Sequence, residues 1–449
     1  MSRYTDRVMG LASLHRAHVE TLLAGTSAAL SSCGFSALVI HSGTALKRTD
    51  TDDQYWPLRP TPHFQHWLPL AEPGCTLSIA PGRKPRLSRP VQQSFWEAPA
   101  APESEHFWEQ FEVIASDKPE VPAGRVAFVG DDESAAAALG IAAVNPPQLL
   151  RELDRLRVTK TAYEIECLAE ANRRASSGHQ ELRRLFRDAD LSELQLHLAY
   201  LGSTRQDDAE TPYKNIVALG RHAATLHHVS YEKRAQPSQS LLLDAGATFA
   251  GYCSDVTRTW VKGGGASASA FQQLVAGVEA MQQRLCAMVR TGMQYEELHD
   301  ESHRQTADIL REVGISRLPA DELVSRGITR AFYPHGLGHS LGLQCHDVGC
   351  ALRPPRADNP FLRNTSVIAE GQVFTIEPGI YFIEALLSPL RDLPDIDWAL
   401  VDALRPFGGV RIEDDVVVLS LGIRNLTREA LPFQAADGAS LAATKATGL

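Results

Sequence analysis

The sequence predicts an α/β (α+β) protein of two domains, and three observations predict it. The chain has 449 residues, and single hydrophobic cores stop growing at about 250–300 residues. Stretches of helical spacing alternate with short apolar runs that end in turns, the pattern of helices packed on sheets. Apolar residues make up 44% and charged residues 22%, a globular balance that sets aside disordered and fibrous classes.

Taken in order, "LHRAHVETLLAGTSAALSSCG" has helical spacing and a glycine stop at Gly34, the usual end of a helix. "SALVIHSG" follows as an apolar strand ending in a turn, and "VAFVG" (126–130) repeats that pattern. The Pro-rich stretches "WPLRPTPHFQHWLPL" and "APAAPES" punctuate rather than form elements. Two strong helical patterns cover roughly 147–157 and 159–187, and the domain boundary falls near 157–160, between them. The division is therefore 1–157, an N-terminal α/β domain, and 158–449. The second part reads helix, helix, strands, helix, strands. "GGGASASA" (263–270) reads as a flexible surface loop. From about residue 430 the tail holds few bulky residues and reads as frayed.

The formal net charge of −10 disfavours nucleic acid, which wants a basic face, and a polybasic membrane contact. Seven scattered cysteines (Cys33, Cys75, Cys167, Cys253, Cys286, Cys345 and Cys350) form no C-x-x-C pair. Their odd number and scatter disfavour a disulfide framework and point to reduced thiols in the cytoplasm. The N-terminus lacks a secretory apolar run. No stretch approaches the apolar length of about eighteen residues that a membrane span needs.

"LLLDAGATFAGYCSDVTRTW" (241–260) carries Asp244 and Asp255 inside an apparent buried hairpin. A carboxylate in an apolar layer is costly unless paired or metal-bound. With a turn centred near Phe249–Ala250, the two would face each other with Cβ atoms about 4.5–5.5 Å apart. Such a pair holds a cation or shares a proton. "YPHGLGHSLGLQCHDVG" (333–349) sets His335, His339 and His346 among glycines, which reads as a loop leading into a strand. It suits a metal edge or a proton-transfer site. "GQVFTIEPGIYF" (371–382) places Glu377 at the end of an apolar strand, and "GGVRIEDDVVVLS" (408–420) places Arg411 and Glu413 on one face of another. Two aspartates, a histidine and two glutamates make an oxygen-rich set for two divalent ions about 3.5–4 Å apart. Manganese (Mn2+) suits such hard donors best, and zinc or cobalt could fit.

These segments, in this order, resemble the pita-bread metallopeptidases and, among them, the bacterial prolidases (Xaa-Pro dipeptidases). The likeness runs from "LASLHRAHVETL" and "ALVIHSG" through "TPYKNIVALGRHAATLHH" to "FGGVRIEDDVVV". The resemblance implies a creatinase/prolidase-type α/β domain at the N-terminus, for dimerisation and active-site closure, followed by a pita-bread catalytic domain. It implies metal ligation by Asp244, Asp255, His339, Glu377 and Glu413, with Asp255 and Glu413 bridging. Glu377 would also serve as general base. His227 and His346 would contact substrate, and His335 would line the pocket. Arg411 would hold a substrate carboxylate or order the second glutamate, and Tyr213 would be a pocket tyrosine. A homodimer acting on Xaa-Pro dipeptides follows from the same likeness.

A peptide bond to proline has no N–H, so a peptidase that reads backbone donors handles it poorly. Two cations would polarise the carbonyl and favour ionised water, while His346 would help hold the oxyanion. The chain departs from the pattern at three places. His228 stands where a tyrosine is expected, Cys345 replaces an aliphatic residue, and "GTALKRTDTDDQYWPL" is only loosely similar. The nearest competing reading is an Xaa-Pro aminopeptidase on longer peptides. A non-catalytic module would have lost ligands, and all are present here.

Overall fold

The computed structural model describes residues 2–51, 53–91 and 104–432, with side chains from residue 10 onward. Most of "APAAPES" and the predicted frayed tail from residue 433 lie outside the described residues.

The N-terminal domain begins with the helix Ser2–Cys33, and Gly34 (φ 72°) ends it as the sequence predicts. The strand Ala37–His41 is buried along its whole length, as a central strand of a covered sheet should be. It pairs antiparallel with Thr76–Ile79 and parallel with Val126–Val129. Arg86–Arg89, Glu112–Ala115 and Ala143–Val144 complete a six-stranded mixed sheet. Leu22 and Leu30 of the long helix pack on Leu38, Leu77 and Ala127 of the sheet in one core. The Pro-rich stretch contains one short helix, Pro62–Gln65, because proline at its first position is preset for helical φ.

The two helices at the predicted boundary are Pro147–Val158 and Ala162–Asp188. Thr161 caps the second in a reciprocal arrangement with Glu164, which fixes its start. In the second part, Ser240–Asp244 is the middle strand between Ile216–Leu219 and Thr257–Val261. A second sheet joins Val373–Ile376, Asp414–Val418 and Ile423–Asn425, and Gly379–Tyr381 pairs with Gly409–Arg411. Leu241 and Leu243 pack on Leu182, Phe186, Leu196 and Tyr200 of one helix pair. Ile376, Val410 and Val416 pack on Phe271, Val278 and Leu310 of the other. Helices thus cover the backs of the sheets, and alternate strand residues such as Asp244 face the opposite side.

The segment 263–270 differs from the expectation. The glycines form the loop, but the helix Ala266–Met288 begins within "ASASA". Ala268 and Phe271 are buried in the main core, and that packing outweighs the weak propensity of the serines.

Candidate metal centre

The hairpin turns one residue later than predicted. Phe249 pairs with Tyr252, and Ala250 (φ 51°) and Gly251 (φ 84°) occupy the two central positions, the left-handed requirement of a tight hairpin turn. Thr257, not Asp255, therefore stands opposite Asp244. A one-residue shift of the turn slides the partner strand by two, which preserves the face on which each side chain lies. Asp244 and Asp255 thus open onto the same cavity, offset along the strands.

The glycine-rich histidine segment is a loop throughout, and the expected strand is reduced to a single bridge between Ser340 and Phe374. Its backbone runs along the strand Val373–Ile376. Thr375 N–H donates to His339 O (2.9 Å) and Glu377 N–H donates to Leu337 O (2.8 Å), which sets His339 beside Glu377. Gly338 is needed there, because a Cβ would lie 2.1 Å from Thr375 O. The far end of the loop is fastened by Asp347, which takes Arg157 Nη2 (2.5 Å) and Lys160 Nζ (2.8 Å) from the domain boundary.

Arg411 and Glu413 do not share one continuous strand. The strand Gly409–Arg411 ends first, and Glu413 makes an isolated bridge to Thr257 before Asp414–Val418 begins. Both still meet Thr257, whose hydroxyl donates to Glu413 Oε2 (2.5 Å) and accepts from Arg411 Nε (3.2 Å).

One cavity of about 1150 Å³ is lined by every residue singled out from the sequence: Tyr213, His227, Asp244, Asp255, His335, His339, His346, Glu377, Arg411 and Glu413. Donor atoms of Asp255, His339 and Glu413 all lie within 4.8 Å of one another. His339 Nε2 is 3.5 Å from Asp255 Oδ2 and 3.6 Å from Glu377 Oε1. Its Nδ1 meets Ser340 O (3.1 Å), which turns Nε2 toward the carboxylates.

The charges of this cluster do not balance. Burial raises the carboxyls of Asp244 and Glu413 and pushes Glu377 up to about 7. Burial alone would also raise Asp255, but hydrogen bonds from His339, Cys345 and Tyr213 hold it below the usual carboxylate range. Burial opposes protonation of His339, yet the contacts with Asp255 and Glu377 push it up to about 9. Asp244 Oδ1 is buried without a hydrogen-bond partner among the described residues, and such an atom is expensive unless something further completes it. The donor set of oxygens with one imidazole fits divalent cations.

Arg411 is already engaged. Its guanidinium pairs with Asp244 and donates to Tyr381 Oη (2.9 Å) and Thr257 Oγ1. The carboxylate it meets is that of Asp244, not that of the second glutamate, Glu413. Tyr213 likewise donates its hydroxyl to Asp255 Oδ1 (2.5 Å). His335 is tied to Tyr381 Oη (2.9 Å) and to Gly336 O (2.8 Å). Burial pushes His335 down to about 3 and His346 to about 4, so both are neutral imidazoles at neutral pH. His227 is exposed in the cavity wall and makes no side-chain hydrogen bond among the described residues. Sequence reasoning missed Thr257, Tyr381 and Arg363. Thr257 lies two residues after Asp255 on the same face, a spacing that could have revealed it. Arg363 sits in an irregular loop and gave no signal.

Carboxylates gathered beside one imidazole on sheets backed by paired helices make a donor set suited to divalent cations. The chain matches metallopeptidase family M24 over residues 166–420, more than half its length, and it belongs to that family. Residues 13–154 match the Xaa-Pro dipeptidase N-terminal domain. It is 39% identical over 439 residues to an Xaa-Pro dipeptidase of Pseudoalteromonas atlantica, covering 93% of this chain and 98% of the relative. It is 42% identical over 426 residues to one of Marinobacter nauticus, with coverage of 93% and 98%. Among solved structures, proline aminopeptidase P II of Yersinia pestis aligns with a TM-score of 0.70 at 22% identity, covering 93% of this chain and 96% of that one. At that identity the likeness shows the fold alone.

Proposed function

We propose that this chain hydrolyses Xaa-Pro dipeptides with two divalent cations, preferably manganese, held by Asp244, Asp255, His339, Glu377 and Glu413. The observation that carries the reading is the buried, charge-unbalanced cage with the partnerless Asp244 oxygen. Relatives of nearly full length that are named Xaa-Pro dipeptidases support it.

The cations supply Lewis acidity toward the scissile carbonyl and make water nucleophilic near neutral pH. The protein supplies the rest. Glu377, raised by burial to about 7, can take a proton from water and return it to the proline nitrogen. His346, neutral and edge-on to His339 with ring centroids 4.3 Å apart, can donate to the developing oxyanion. His227 contacts the substrate from the exposed wall. Arg411 and Tyr213 fix the positions of Asp244 and Asp255. With Arg411 engaged, the substrate carboxylate falls to Arg363, which lines the cavity and has no ion pair or hydrogen bond among the described residues. A cation at that end favours dipeptides, whose carboxylate follows directly after the scissile bond.

The division 1–157 and 158–449 is part of this reading. So is a homodimer in which the segment 43–58 closes the neighbouring site. Leu46, Tyr55 and Trp56 on that segment are exposed, which supports a surface that meets a partner. No helix among the described residues is long and apolar enough to cross a membrane, and the seven cysteines are all free. Both support a cytoplasmic enzyme.

The test is metal analysis of the purified protein followed by hydrolysis of Ala-Pro and Ala-Pro-Ala-Ala with each ion. Faster cleavage of Ala-Pro is expected. Much faster release from the tetrapeptide would establish the aminopeptidase reading instead, and full activity without any divalent ion would end both.

A further inference from the structure

Outside the metal cage, Glu193 is a buried carboxylate with four protein donors that the proposed chemistry does not use. It opens the helix Glu193–Thr204 directly after its Ser192 cap and is wholly buried. Leu219 N (3.0 Å) and His222 Nδ1 (2.6 Å) donate to Oε1, and His228 Nε2 (2.8 Å) and Glu232 N (2.8 Å) donate to Oε2. The rings of His222 and His228 stack against each other at 4.5 Å. The donor atoms of Glu193, His222 and His228 lie close enough to hold an ion. Each carboxylate oxygen already has two protein donors, however, so the group is complete as it stands.

Those donors enter and leave one irregular segment. Leu219 closes the strand Ile216–Leu219, and Glu232 is where the chain returns, with Leu194 N–H donating back to Glu232 O (3.2 Å). Between them lies a short 3-10 helix, Gly220–Ala224, closed by Thr225 N–H donating to His222 O (2.9 Å), and residues 226–231 follow without helix or strand. Leu226, His227 and Val229 from this segment line the reaction cavity. His227 has no hydrogen bond of its own among the described residues, so its position depends on how the segment is held. Its neighbour His228 is one of the four points of attachment.

We infer that Glu193 is a positioning residue: through His222, His228 and the two backbone amides, it clamps the segment 219–232 so that His227 meets the substrate. The inference rests on the proposed substrate contact of His227. It also accounts for His228, which stands where the family resemblance led one to expect a tyrosine. An imidazole N–H reaches a buried carboxylate that has three other donors, and the carboxylate lies at a helix N-terminus that favours its charge.

The test is a double-mutant cycle on the full-length, metal-loaded protein, with Ala-Pro as substrate. His228→Leu removes one attachment at a half-buried site and is expected to lower kcat/KM about tenfold, because small misplacements of a contacting group are costly. Metal content should not change. His228→Gln, which restores an N–H donor, should recover most of the loss. In the His227→Ala background, His228→Leu should change kcat/KM less than about twofold, since the two act through one contact. Amides of the segment should exchange faster in Glu193→Gln. A full tenfold loss by His228→Leu in the His227→Ala background would show a merely structural role and overturn the positioning. Unchanged kinetics in His228→Leu would overturn it as well. Wild-type kinetics in His227→Ala alone would overturn both the clamp and the substrate contact on which it rests.

Discussion

Glu413→Gln tests the charge logic of the cage most directly. Burial and the charges of Asp255, Glu377 and Asp244 raise the Glu413 carboxyl well above its ordinary value, so in metal-free protein it holds its proton. Donor atoms of Glu413 and Asp255 lie within 4.8 Å of each other. At an effective dielectric constant of about 20, ionising both would cost about 3.5 kcal/mol of mutual repulsion at that limit. Glutamine has the shape of the protonated acid and can still accept from Thr257. Metal-free Glu413→Gln is therefore expected to match the metal-free wild type within about 1 kcal/mol. The difference should emerge on adding Mn2+. At 100 times its dissociation constant an ion stabilises the folded state by about 2.7 kcal/mol, about 3 °C in melting temperature for a chain of this length. The variant should lose most of that shift, bind fewer than two ions and show no turnover of Ala-Pro. Scanning calorimetry with and without Mn2+, paired with metal analysis, measures each part. A metal-free variant that melts far below the metal-free wild type would show that Glu413 is charged and paired in the empty cage. Full metal content with wild-type turnover would show that it is no ligand.

Asp255→Asn should abolish turnover and weaken metal uptake, which activity assays paired with metal analysis check. Arg363→Ala should raise KM for Ala-Pro about tenfold or more while changing the rate on Ala-Pro-Ala-Ala little, because a charge-assisted contact contributes about 1.5–3 kcal/mol; equal effects on both peptides would refute its role as carboxylate anchor. Gly338→Ala forces a Cβ to within 2.1 Å of Thr375 O and should displace His339, seen as lost metal affinity at a melting temperature lowered by only a few degrees. Burial pushes His15 down to about 3 and His66 down to about 4, against about 6.5 in the unfolded chain. Below pH 6.5 the unfolded state therefore binds protons that the folded state refuses, so stability present above pH 6.5 is lost as pH falls toward 4, at about 1.4 kcal/mol per pH unit for each histidine. Urea unfolding midpoints at pH 7, 5.5 and 4.5 should fall in that order, and His66→Gln should flatten the dependence.

The sequence made the proposed ligands legible because each is a chemical contradiction in its local setting. Asp244 and Asp255 interrupt a run of Leu, Ala and Val, Glu377 ends an apolar strand, and Glu413 opens one. Local patterning prices such residues as errors, so their presence signals a purpose elsewhere. The boundary helices were legible from their apolar spacing, though the cap formed by Thr161 and Glu164, which starts the second at Ala162, was not read. Partnership between distant segments was not. For Arg411 the family resemblance implied either a hold on the substrate carboxylate or an ordering of the second glutamate. That Asp244, Tyr381 and Thr257 already engage it is a fact of tertiary packing with no trace in spacing. The hairpin shows the same limit on a smaller scale. The predicted centre, Phe249–Ala250, holds no glycine, whereas the turn uses Ala250 (φ 51°) and Gly251 (φ 84°) as its two left-handed positions, so the prediction falls one residue early. The error leaves the metal face intact because it moves Asp255 by two residues, the period of a strand. A sequence reading of a site built on sheets therefore tolerates errors of even register and fails where a side chain's partner is chosen across the fold, as Glu193 chooses the segment that carries His227.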